Sequence, residues 1–76
     1  MREEVLEILS SICPDVDFEE TENLIDDSVI DSFAVIQIVT ELMDHFDIFI
    51  DADDIEPENL NSLDAICDMV SKKLSQ

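Results

Sequence analysis

The sequence predicts an all-α fold: a small four-helix bundle, three main helices and one short one, with a long loop between the first two. Three observations predict it. Three stretches carry apolar residues at helical spacing. The chain has no glycine and only two prolines, which suits helices and argues against a hairpin-rich β fold. Apolar residues make up 46% of 76 residues, too much to leave in water yet enough for only one core. A single domain over residues 1–76 is therefore expected, with the marginal stability of a body this small.

The first helix is expected from Arg2 to Ile12. Val5, Leu6, Ile8, Leu9 and Ile12 recur at helical spacing, Glu3 and Glu4 suit the positive end of the helix dipole, and Pro14 stops the run. From Cys13 to Asp31 the chain reads as a long acidic connection. Val16, Phe18, Leu24, Ile25, Val29 and Ile30 are spaced too irregularly for a helix or strand, but they can pin the loop to the bundle. One extra helical turn near Glu19 to Leu24 fits the pattern. The second helix starts at Asp31-Ser32 and reaches Phe46. A short irregular or single-turn element runs through Ile50 to Glu56, and Pro57 breaks the chain. The last helix starts near Asn61-Ser62, either of which suits a cap. It carries Leu63, Ile66, Cys67, Val70 and Leu74, and closes with Lys72 and Lys73 at the favourable end of the dipole.

Charge narrows the function classes. Twenty-one Asp and Glu against three Lys and Arg give a formal net charge of −18. Such a field repels nucleic acid and anionic lipid and attracts basic protein surfaces. The plainer consequence is solubility, and the charge alone does not separate the two. No apolar run is long enough to span a bilayer, so no membrane insertion is expected. Two cysteines and a Met1–Glu4 opening without the apolar run of a secretory signal fit a reducing, cytoplasmic setting. A chain this short also has little scaffold to wall a catalytic cleft, so no enzyme activity is expected.

The second helix carries two apolar faces. At about 100° per residue, Val35, Ile38, Val39, Leu42 and Phe46 fall on one side and form a core stripe. Phe33, Ile36 and Met43, with Thr40 between them, fall roughly opposite; Gln37 and Asp44 border them, and Ala34, Glu41 and His45 lie on a flank. A bundle helix needs only one buried face. The second stripe either packs beneath the long loop or forms an acid-rimmed docking surface.

Ser28 and Ser32 each follow an aspartate and precede an apolar residue, but only Ser32 leads directly into a long helical pattern. Its hydroxyl lies at a helix N-terminus, where backbone N–H groups favour an attached phosphate. An ordinary N-cap serine has the same appearance. The wider run Leu24-Ile25-Asp26-Asp27-Ser28-Val29-Ile30-Asp31-Ser32-Phe33 resembles the attachment site of acyl carrier proteins. The resemblance continues through Glu41-Leu42-Met43-Asp44-His45-Phe46-Asp47-Ile48, through Asp53 to Leu60, and into Asn61-Ser62-Leu63, covering nearly the whole chain. The Val29-Ile30-Asp31-Ser32 form is most similar to stand-alone D-alanyl or aminoacyl/peptidyl carriers, although Ser28 stands where those often have glycine. Ala34 and Gln37 stand where fatty-acid carriers tend to be acidic.

What the resemblance implies is a carrier module with a 4′-phosphopantetheine arm on Ser32, placed there from coenzyme A by a phosphopantetheinyl transferase. The arm's thiol, not Cys13 or Cys67, would hold the cargo as a thioester. Further implied partners are an acyl- or aminoacyl-activating ligase and a downstream acyltransferase or synthase, meeting a monomer through Asp31, Phe33, Ile36, Thr40, Met43 and Asp44. The competing reading is an unmodified acidic helical interaction module that binds a basic protein.

Other constellations are weaker. His45, the single histidine, lies about 13 positions after Ser32, roughly 20 Å along a continuous helix and too far to act as its base. With two distant cysteines it makes no zinc set, and no metal site is expected. Read from Asp51, an EF-hand would need glycine at Glu56 and a carboxylate at Ser62, so that pattern fails as well.

Overall fold

The computed structural model describes residues 1–75. Its helices are α1 (Arg2–Ile12), α2 (Ser32–Phe46), α3 (Pro57–Leu60) and α4 (Leu63–Leu74), with a 3₁₀ turn at Ala52–Asp54. No strand occurs among the described residues. The all-helical bundle expected from the periodicity is what forms: α1 packs against α2 and α4, α2 meets α4, and α3 lies against α4.

The core is wholly apolar. Val5 and Leu9 of α1 meet Ile38, Val39 and Leu42 of α2 and Ile66, Met69 and Val70 of α4. No polar or charged side chain is fully buried among the described residues, so no acid is cut off from water or a partner. The long loop is pinned as its apolar residues suggested, with Phe18, Leu24 and Ile30 buried and Val16, Ile25 and Val29 half-buried against the core. Its extra helical turn lies slightly earlier than Glu19 to Leu24 and does not continue. Residues Asp17–Thr21 make a turn closed by the Thr21 N–H on the Asp17 carbonyl at 2.9 Å, and a second knot runs from Asn23 to Ile30.

Other expectations are changed or made definite. Pro57 does not break the chain; it opens α3 from the first helical position, where its missing N–H leaves nothing unpaired. Ser62, not Asn61, caps α4, its hydroxyl accepting the Ala65 N–H at 3.1 Å. On α2 the buried face is turned from the expected one. Ala34 is buried rather than on a flank, while Val35 and Phe46 are half-buried. Ala34 is the smallest apolar side chain on the helix, which lets neighbouring elements close over it, and a wheel weighted by bulk passes over it. Met69, outside the expected α4 stripe, is buried, whereas Leu74 is half-exposed.

Ion pairs tie the chain ends to the body. Lys73 Nζ meets Asp54 Oδ2 at 2.6 Å, both side chains largely covered, which joins the 3₁₀ turn to α4. Arg2 bonds Asp64 across α1 and α4. No helix among the described residues is long and apolar enough to cross a membrane.

Candidate functional site

The first turn of α2 is built by Asp31. Its backbone is extended (φ −95°, ψ −180°) and its Oδ1 accepts the Ala34 N–H at 2.8 Å, so aspartate is the cap and Ser32 the first helical residue. This corrects the picture of Ser32 as a possible capping hydroxyl. Because Asp31 already satisfies the helix end, the Ser32 hydroxyl has no capping duty and is exposed. The N–H groups of Ser32 and Phe33 find no acceptor among the described residues, as the opening of a helix dictates. Donors of this kind, at the positive end of the dipole, suit a phosphate ester beside them.

Beside Ser32 opens a groove of about 590 Å³. One side comes from the loop and α2, through Ile25, Ile30, Val35 and Ile36; the other comes from Ile55, Pro57 and Leu60 around α3. Ser28, Asp31, Ser32 and Glu56 add its polar groups. The second wall escapes a sequence reading that takes Pro57 as a stop. A proline directly after Glu56 and before Glu58 is a helix-start signature that would have found it.

Ser28 also borders the groove, but it stands in a turn with φ 56° and leads no helix. That left-handed backbone is where a glycine fits without steric cost, so the serine that stands in its place carries backbone strain.

The expected partner residues divide. Asp31, Phe33, Ile36, Thr40 and Asp44 are all exposed, Phe33 by 80% and Ile36 by 60%. They do not form one cluster. Asp31, Ser32 and Ile36 line the groove, while Thr40 and Asp44 lie about 12 and 18 Å from Ser32 along the helix axis. The Thr40 hydroxyl is turned back onto the Ile36 carbonyl at 2.8 Å. Met43, placed with them on the second stripe, is instead half-buried against the core. Ile55, half-exposed beside the groove, joins the exposed apolar surface instead.

His45 is far from Ser32, near the other end of α2. Its Nε2 meets Glu4 Oε2 at 2.8 Å, and its ring stands edge-on to Phe46 at 4.8 Å between centroids. It joins α2 to α1 rather than standing free in water. The thiols of Cys13 and Cys67 are free and half-buried, and burial raises both pKa values. For Cys13 the charge of Asp31 adds to the rise; for Cys67 the nearby Arg2 opposes it. Both therefore hold little reactive thiolate near neutral pH.

No metal-ligating cluster occurs among the described residues, and what the surface has at Ser32 is an exposed hydroxyl with the Asp31 and Glu56 carboxylates and a groove beside it. The family model for the phosphopantetheine attachment site matches residues 3–70, and the chain belongs to that family of carrier proteins, whose members hold 4′-phosphopantetheine covalently. Neither the curated proteins nor the solved structures provide a significant match.

Proposed function

We propose that Ser32 is the attachment serine and that the chain is an acyl or aminoacyl carrier, nearest in type to stand-alone D-alanyl or aminoacyl/peptidyl carriers. The supporting observation is the exposed Ser32 hydroxyl at the first position of α2, freed from capping by Asp31 and bordering the groove. A phosphopantetheinyl transferase would supply the arm from coenzyme A: the Ser32 oxygen gains the phosphoryl group, its proton leaves, and the nucleotide portion of coenzyme A departs. The arm provides the thiol on which cargo is held as a thioester. The chain's own residues supply position. Asp31 fixes the helix start, the first-turn N–H groups favour the phosphate, and the tether raises the effective concentration of cargo at each partner.

The partners this reading requires are the transferase, an acyl- or aminoacyl-activating ligase and a downstream acyltransferase or synthase, each acting on a cytoplasmic monomer. Phe33 and Ile36 supply apolar contact, with Asp31 and Asp44 facing basic groups and Thr40 beside them. Met43 contributes only its uncovered part. A net charge of −18 favours partners with basic faces.

Incubation with coenzyme A and a broad-specificity transferase, followed by intact mass measurement, tests the assignment. Wild type and Ser28→Ala should gain one arm, and Ser32→Ala none. Modification persisting in Ser32→Ala overturns the assignment of the site. A wild-type chain that takes no arm favours the unmodified interaction module.

A further inference from the structure

We infer that Asn61 is a positioning residue for the attachment serine, holding from the α3–α4 junction the loop that presents Ser32. The inference rests on the reading of Ser32 as the attachment site. Asn61 is itself fixed, its N–H donating to the Pro57 carbonyl at 2.8 Å at the end of α3. From there it bonds a stretch more than thirty residues earlier in the chain four times. Its carbonyl accepts the Leu24 N–H at 2.8 Å. Its side-chain Oδ1 accepts the N–H groups of Ile25 at 2.9 Å and Asp26 at 3.2 Å. Its Nδ2 donates to Asp26 Oδ2 at 3.2 Å. The orientation of the amide follows from chemistry, since two backbone donors require the oxygen and a carboxylate requires the nitrogen.

The hold is passed on to the site. The Leu24 carbonyl accepts the N–H groups of Val29 at 2.9 Å and Ile30 at 3.2 Å, and the Ser28 N–H closes on the Ile25 carbonyl at 3.1 Å. Ile30 is buried and directly precedes Asp31, the cap of α2. Asn61 thus grips the front of a knot whose end is the residue before the cap. It also joins the two walls of the groove, α3 on one side and the Ile25–Ile30 loop on the other. Capping of α4 falls to Ser62, so the Asn61 side chain serves the loop alone.

A long loop without regular structure has many conformations, and apolar anchors alone allow sliding. Amide bonds of fixed direction do not. Loosening them displaces the Ser32 hydroxyl without touching the exposed face of α2, so the step after docking should suffer rather than docking itself.

The test is arm transfer from coenzyme A to the full chain, measured well below the melting point, with amide hydrogen exchange followed at Ile25 and Asp26. Asn61→Ala should stay helical, lose protection at both amides, and lose about tenfold in kcat, with KM for the carrier held within about twofold. The double variant Asn61→Asp/Asp26→Asn exchanges carboxylate and amide while keeping every donor facing an acceptor, and it should restore protection and kcat together. If N61A does not fold, N61D alone replaces it. That change keeps the acceptor oxygen but sets two carboxylates against each other, and the same loss and the same rescue are expected. A folded N61A or N61D with unprotected amides and wild-type kcat overturns the inference, as does a double variant that regains protection without regaining rate. Arm transfer to Ser32→Ala is a different failure, that of the attachment assignment itself.

Discussion

Replacing Leu42 and Phe33 by alanine, separately, should separate the core of α2 from its working face. Leu42 is fully buried, 0% exposed, in the core that α2 shares with α1 and α4. Truncating such a leucine costs about 2–5 kcal/mol, because the cavity left behind closes only in part. A domain of 76 residues has a total stability of roughly 4–11 kcal/mol, so a loss near 3 kcal/mol removes a large share. At about 4–8 °C per kcal/mol, Leu42→Ala should melt roughly 12–24 °C lower by circular dichroism. Phe33 is 80% exposed, so Phe33→Ala removes little buried area and should stay within about 0.5 kcal/mol of wild type. Ile36→Ala should behave similarly. In arm transfer the order reverses. Phe33→Ala should raise KM for the carrier about tenfold or more, as expected for an aromatic anchor at an interface. Met43, half-buried against the core, should fall between the two in melting, by about 1–2 kcal/mol. If Phe33→Ala melts with Leu42→Ala and is modified with normal KM, the exposed stripe plays no part in docking and the reasoning fails.

Three further outcomes rest on particular residues. Ser28 has φ 56°, so Ser28→Gly should relieve the left-handed strain and raise stability by about 0.5–1 kcal/mol, or roughly 2–8 °C; an unchanged melting curve would refute this. The Lys73 ammonium, followed by the Asp51 backbone N–H, holds the Asp54 carboxyl below its ordinary value of 3.8. Because the folded-state value is the lower one, this stabilisation is fully present above the unfolded value and is lost as pH falls through the folded value. Lys73→Met should therefore melt lower than wild type near about pH 6 and approach it toward about pH 2, whereas a gap independent of pH would exclude the ion pair as its cause. Finally, added NaCl should raise the melting temperature, and Mg²⁺ should raise it more steeply. The screening length is about 10 Å at 0.1 M, comparable to the 11.1 Å radius of gyration, and about 3 Å at 1 M, so salt removes repulsion across the whole body. A fall with salt would mean that the Arg2–Asp64 and Lys73–Asp54 attractions outweigh the excess of acid.

The main helices were legible because their causes repeat. Val5 and Leu9, Ile38 and Leu42, and Ile66 and Val70 each recur four residues apart, and Pro14, Asp31 and Ser62 mark the boundaries. The face of α2 was less legible. Bulk ranks Val35 and Phe46 above Ala34, whereas burial depends on which neighbour closes over the position. The four residues of α3 are too few to show a period, and its opening proline carries two meanings, a stop for the segment before it and a start for the segment after it.

The site divides along the same physical line. Ser32 stood out through the resemblance of the run around it, because an Asp-Ser step ahead of a helical pattern also looks like an ordinary cap; in the structure Asp31 takes the cap and leaves the hydroxyl free. The groove was not visible, because its far wall, Ile55 to Leu60, is brought there only by tertiary packing. Asn61 was hidden for a stricter reason. The groups it binds are mostly backbone amides, which every residue except proline carries, so Leu24, Ile25 and Asp26 give no sign in their side chains that Asn61 will hold them. Only the acceptor has a distinctive side chain, and beside Ser62 an asparagine looks like a helix cap. Ser62 satisfies the N-terminus of α4 alone, so that duty is removed from Asn61 and four bonds to the loop remain. A cap predicted for one of two adjacent polar residues therefore leaves the other to be explained, and here the explanation leads back to the loop that ends at Ser32.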